Sequence, residues 1–159
     1  MAIYMKFDGI DGQVTTQGFD KWIELESTSI GIHRHTTTGA GGRSREGAHP
    51  EIQEIQVSKH FDKATPKILQ ESVAGTFEKK CEIKWTTTTK SKVETYFDVV
   101  LTDCGITSYQ QSAGSDGVPM ESLTLNFTKI TFSPSPLDVK GQPQKGDVVT
   151  YDLMQMKAS

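Results

Sequence analysis

The sequence predicts a mainly β protein: a small antiparallel β-barrel with one short covering α-helix and a long extended loop. Three observations predict it. Apolar residues recur at every second position in several separate runs, the pattern of strands with one buried face. One stretch, residues 65–75, breaks that period and carries helix punctuation at both ends. A glycine-rich polar insertion, residues 36–51, exceeds the usual length of connections in compact domains. At 159 residues and 17.5 kDa, the chain is expected to form a single domain over residues 1–159. A chain of that size can bury roughly 68–70% of the surface it exposes when unfolded, so it needs no metal or disulfide to hold a core.

Ile3, Met5 and Phe7 define the first strand. Residues 22–32 hold two apolar sets in opposite phase, Ile23 with Leu25 and Ile30 with Ile32, which places a bulge or bend near Ser27. In the helical stretch, Thr65 is the expected N-cap, Pro66 the first helical residue, and Gly75 the residue just past the end. Ile68, Leu69 and Val73 give this helix a narrow apolar stripe, enough to cover one face or opening of a sheet. Phe77, Cys81, Ile83 and Trp85 share one parity; Val93, Phe97, Val99 and Leu101 form a second set after the polar turn at 86–92, so the two read as a long hairpin. Leu123, Leu125 and Phe127 then change phase to Ile130 and Phe132, and Val149, Tyr151 and Leu153 form the last strand. Many of the 19 threonines fall on these runs, where β-branching suits a pleated surface. The remaining polar stretches are residues 110–118 and 133–146.

With 17 basic against 20 acidic residues and a pI near 5.8, the chain lacks the cationic excess that binds phosphate backbones, so nucleic acid is not an expected partner. Hydrophobic residues make up 35% and mean hydropathy is -0.44. No run approaches the ~18 apolar residues of a spanning helix, so no membrane insertion is expected. Cys81 and Cys104 are too few for a disulfide scaffold and lie beside or within apolar runs, as reduced thiols of a cytosolic protein do. Lys6 and Asp8 interrupt the apolar N-terminus before it reaches the length of a signal-peptide core, so any export is expected to bypass the general secretory route.

Motifs for chemistry are incomplete. The glycine-rich insertion could cradle an anion, yet it lacks the Gly-Lys-Ser/Thr ending of a phosphate loop. His33 and His35 share one strand face, with His49 in the insertion, but no cysteine or carboxylate motif completes a metal set. Residues 8–12, Asp-Gly-Ile-Asp-Gly, lack the alternating carboxylates of a calcium loop and read as a tight turn. No nucleophile elbow or zinc-protease motif occurs, and the carboxylate pairs Asp8 with Asp11 and Glu24 with Glu26 sit where solvated charge is the default. Trp22 and Trp85 read as packing anchors. The expectation is therefore a protein that is not an enzyme and uses no cofactor or metal.

Several runs together resemble the Hcp tube proteins of bacterial type VI secretion. They are Ile3-Tyr4-Met5-Lys6-Phe7 followed by Asp11-Gly12, then Trp22-Ile23-Glu24, the glycine-rich insertion, and Phe61-Asp62-Lys63-Ala64-Thr65-Pro66 leading into the helix. The resemblance continues through Tyr96-Phe97-Asp98-Val99-Val100-Leu101 and Glu121-Ser122-Leu123-Thr124-Leu125-Asn126-Phe127, covering nearly the whole chain. It implies a β-barrel with a flanking helix, homohexameric rings with a central channel, and stacking of rings into a tube. The tube would sit within a contractile sheath and work with the spike and baseplate proteins of the machine. It further implies small effector proteins carried in the lumen, and a protein that is cytoplasmic until the machine secretes it. In such an assembly Tyr4, Tyr96 and Val100, on outward strand faces, are expected to be covered by a neighbour. The insertion, with Gly39, Gly41, Gly42, Arg43, Arg45 and Glu46, is the candidate subunit or ring-stacking element. A monomeric β-barrel holding a small apolar ligand is the alternative reading of the same strands.

Overall fold

The computed structural model describes residues 1–34 and 50–159. It is mainly β. The chain runs β1 (Ala2–Phe7), β2 (Ile23–Leu25), β3 (Ser27–Ser29), β4 (Ile32–His33), β5 (Glu51–Ile52), β6 (Ile55–His60), α1 (Thr65–Ala74), β7 (Lys79–Thr89), β8 (Lys92–Ser112), β9 (Met120–Asn126), β10 (Lys129–Pro134), β11 (Val149–Asp152) and β12 (Lys157–Ala158). All pairings are antiparallel.

The long strand β8 organises the sheet. Its first part pairs with β7 and β10, and its last part, Gly105 to Ser112, pairs with β9. One path runs β12-β11-β10-β8-β7-β1-β2, while β8-β9-β6-β3 branches from it. Both branches wrap one core, in which Met5, Ile23, Ile55, Cys81, Ile83, Val99, Leu101, Leu123, Leu125 and Ile130 are almost wholly shielded. The expected barrel does not close. β2 pairs with β1 and β3 with β6, so the circuit is completed by the covalent bend at Glu26, whose N–H reaches the Ser58 carbonyl at 2.8 Å, and not by a continuous ladder. Strand parity shows which face is buried but carries no information on closure.

The β7–β8 hairpin turns at Lys90 and Ser91, both with positive φ, the geometry whose twist matches antiparallel strands. The helix ends on Gly75 in the left-handed conformation, as the sequence indicates. Its beginning differs: the N-cap is Ala64, and Thr65 is already helical. The Thr65 hydroxyl accepts from the Asp62 N–H at 3.1 Å and donates to the Glu121 carboxylate at 3.0 Å. The hydroxyl thus gives its proton to a charged acceptor and its lone pair to the N–H of Asp62, which precedes the helix.

Residues 10–22 fold over the outer side of β1. Val14, Phe19 and Trp22 enclose Tyr4 in a second small core, with ring centroids 4.7 Å apart for Tyr4 and Phe19 and 5.2 Å apart for Phe19 and Trp22. Tyr4 is therefore covered by its own chain and not by a neighbour, while Tyr96 and Val100 stay half-buried on the outer face. Three elements escape the sequence pattern altogether: β5, which is only two residues long and begins on Glu51, a residue expected in the insertion; β6, because its third inward residue is Lys59; and β12, a short edge beyond the last expected strand.

Candidate functional site

The branch β3-β6-β9-β8 presents an outer face of unusual chemistry. Register places Ser27, Ser58, Ser122 and Gln110 in one row across four strands, and Ser29, Gln56, Thr124 and Ser108 in the next. Six of these eight are exposed and Ser58 and Thr124 are half-buried. Alternate residues Val57, Leu123 and Leu125 point into the core, which fixes the outward direction of the polar set. The face is hollowed, with about 330 Å³ of space over these residues. Hydroxyls and amides both donate and accept hydrogen bonds, as the 2.5 Å contact between the Ser27 and Ser58 hydroxyls shows. A wall with neither charge nor large apolar groups can be wetted without holding any one ligand tightly.

One end of this face is pinned from inside by a buried ionic network. Lys59 on β6 and Glu121 on β9 are directly opposite, and both are fully shielded from solvent. The Lys59 ammonium contacts the Glu121 carboxylate, lies 2.8 Å from Asp62 and donates to the His60 carbonyl at 2.8 Å. Glu121 also accepts from Thr65 at 3.0 Å and from the Tyr109 hydroxyl at 2.6 Å. Three strands and the start of α1 are thereby tied to a single carboxylate. A one-residue slip of β6 against β9 would turn Lys59 to the polar face, leave Glu121 buried without its cation and drive Gln56 and Ser58 inward, so the network holds the face in register.

Burial, with the hydrogen bond to Glu121 and its negative charge, pushes the Tyr109 phenol well above its ordinary range. A group raised on folding contributes stability that is complete below the unfolded value, near pH 10 for tyrosine, and is lost as pH rises beyond it. Wild type should therefore lose stability above about pH 10 more steeply than Tyr109→Phe does, as urea midpoints across pH 8–11 would show. Equal slopes would mean that Tyr109 titrates alike in both states.

The insertion residues Gly39, Gly41, Gly42, Arg43, Arg45 and Glu46, together with His35 and His49, lie outside the described residues. His33 lies on exposed β4. Asp8 begins a turn closed by the Ile10 N–H on the Phe7 carbonyl at 3.0 Å, in line with a tight turn at this point. Glu24 and Glu26 are both exposed, and Glu26 lies 3.1 Å from the His60 imidazole. Among the described residues, no group of three His, Cys, Asp or Glu side chains converges as metal ligands. Cys81 and Cys104 are free and buried, and the neighbouring Cys104 thiol together with burial raises the Cys81 pKa well above its usual value. Trp85 packs against Phe97 at 4.7 Å, and Trp22 stacks beneath the Lys84 ammonium at 5.5 Å. No helix among the described residues is long and apolar enough to cross a membrane.

Sequence reasoning missed both the polar face and the network. The register that aligns Ser27, Ser58, Ser122 and Gln110 joins strands far apart in the chain, and a lone buried lysine looks like a surface charge. The one available signal was the uncharged outward set Ser122 and Thr124, alternating with Leu123 and Leu125.

The family model described as "Type VI secretion system effector, Hcp" matches residues 4–133. No curated protein matches the sequence. A solved structure described as a type six secretion system protein superposes with a TM-score of 0.90 at 24% identity, covering 99% of each chain. Hcp1 from Salmonella typhimurium gives a TM-score of 0.74 at 20% identity over 99% of this chain and 98% of that one. A type VI secretion system effector from Yersinia pestis gives 0.73 at 17% identity, over 94% and 98% respectively. At these identities the structural likenesses establish the fold alone, but the family model spans most of the sequence, and on that match the chain belongs to the Hcp family of type VI secretion system effectors.

Proposed function

We propose that this protein is the tube component of a type VI secretion machine, that its copies close into hexameric rings, and that the polar face of β3-β6-β9-β8 lines the channel. The single observation that carries this reading is the two-row grid of Ser, Thr and Gln, a surface suited to a wet passage through which small effector proteins are held and released. The branch also ends in two edges without a strand partner among the described residues, β3 and the last part of β8. A head-to-tail contact joins two different patches of the same chain, and unpaired edges are ready-made patches of that kind.

The protein acts as one domain by assembly and not by catalysis. Its rings stack with help from the insertion carrying Gly39, Gly41, Gly42, Arg43, Arg45 and Glu46. It meets the sheath, spike and baseplate of the machine, and it leaves the cytoplasm through the machine. The alternative of a small apolar ligand inside the sheet has no support in the packing: the inward positions of β7, β8 and β9 are filled by Cys81, Ile83, Val99, Leu101 and Leu125, all at zero exposure.

Ser58→Glu with Ser122→Glu tests the channel face. Rings should keep their wild-type mass while the effectors co-purifying with them fall sharply, because every subunit adds charge to the same wall. Loss of the ring would instead make this face a subunit contact, and unchanged cargo would turn it away from the channel.

A further inference from the structure

Residues 134–146 form a loop laced by its own backbone hydrogen bonds. The Gly146 N–H reaches the Pro134 carbonyl at 3.1 Å, the Gln144 N–H reaches the Pro136 carbonyl at 2.8 Å, and the Asp138 N–H reaches the Gln142 carbonyl at 2.8 Å. The Asp138 carboxylate accepts from the N–H groups of Lys140 at 2.8 Å and Gln142 at 2.9 Å, and from the Gln144 amide at 3.2 Å. The Thr89 hydroxyl anchors the loop to β7 through the Gly141 carbonyl at 3.3 Å. At its tip Val139 is fully exposed beside exposed Lys140. The ordering cost of this segment is already met in the fold, which is what lowers the cost of docking it.

On the opposite flank of the sheet path, residues 13–16 and the end of β6 border a hollow of about 280 Å³. Val14 and Phe61 supply apolar wall, and Glu24 and Glu26 give it acidic character, Glu26 beside the His60 imidazole, while Asp62 is already paired with Lys59. Resting on the ring reading above, we infer that Val139 and Lys140 of one copy seat in this acidic hollow of the next copy around the ring. The tip offers an aliphatic side chain and a cation, and the hollow offers their complements. The two patches lie on different flanks, as a heterologous, ring-closing contact requires.

Val139→Cys combined with Thr15→Cys, two exposed positions, tests the contact. Mild oxidation of the double variant should yield an intermolecular ladder reaching the hexamer on a non-reducing denaturing gel. Each single variant and wild type, whose own thiols are buried, should give none. Lys140→Glu should lower the ring fraction on native mass measurement, and Glu24→Lys in the same chain should restore it. Rings of the expected mass without the ladder overturn this contact and leave the ring reading standing. A wild-type protein that stays monomeric overturns both.

Discussion

Lys59→Met should destabilise the fold by about 3–5 kcal/mol, the usual consequence of removing one partner from a buried ion pair. The cost arises less from the lost attraction than from Glu121, which remains fully shielded with hydroxyl donors from Thr65 and Tyr109 but no cation. Lys59→Met with Glu121→Leu should cost less than either single change, because the fully shielded Glu121 charge is then removed together with its cation. Recovery should be partial, since Asp62, Thr65 and Tyr109 lose their partners too. Urea unfolding of the three variants checks this. A single variant within 1 kcal/mol of wild type would mean that water reaches the pair.

Gly12→Ala should cost about 1–3 kcal/mol or more, by overpacking against backbone that has nowhere to go. A Cβ at residue 12 would lie 2.1 Å from the Trp22 carbonyl oxygen. Residues 12–14 and 21–22 are laced there by the Gly12 N–H to the Lys21 carbonyl at 2.8 Å and the Val14 N–H to the Trp22 carbonyl at 3.1 Å. Displacing that backbone loosens the cover over Tyr4, so thermal unfolding should shift down and the Trp22 environment should become more solvated. An unchanged melting temperature would contradict the tight approach.

Alternation alone revealed β1, the β7–β8 hairpin and β9 with β10, because most of their inward positions are apolar: Met5 and Phe7, Cys81 and Ile83, Val99 and Leu101, Leu123 and Leu125, Ile130, with Thr86 on β7 and Glu121 on β9 the buried exceptions. β6 begins the same way with Ile55 and Val57, then places Lys59 inward, and the pattern stops. A buried cation is tolerable only through Glu121 and Asp62, and Glu121 lies 62 residues further along the chain, beyond the reach of any local pattern. Thr65 was legible as a helix-start residue, yet its hydroxyl belongs to that same distant carboxylate. Val14, Phe19 and Trp22 follow no strand or helix period, so their cover over Tyr4 appears only in the folded chain. The polar face depends on cross-strand register, which alternation within one strand does not encode.

Native mass spectrometry of the purified protein, with electron microscopy of the same sample, tests the assembly claim most directly. The account predicts a hexameric mass and a ring with a central hole. A strictly monomeric species at micromolar concentration, with no ring in the images, would contradict it.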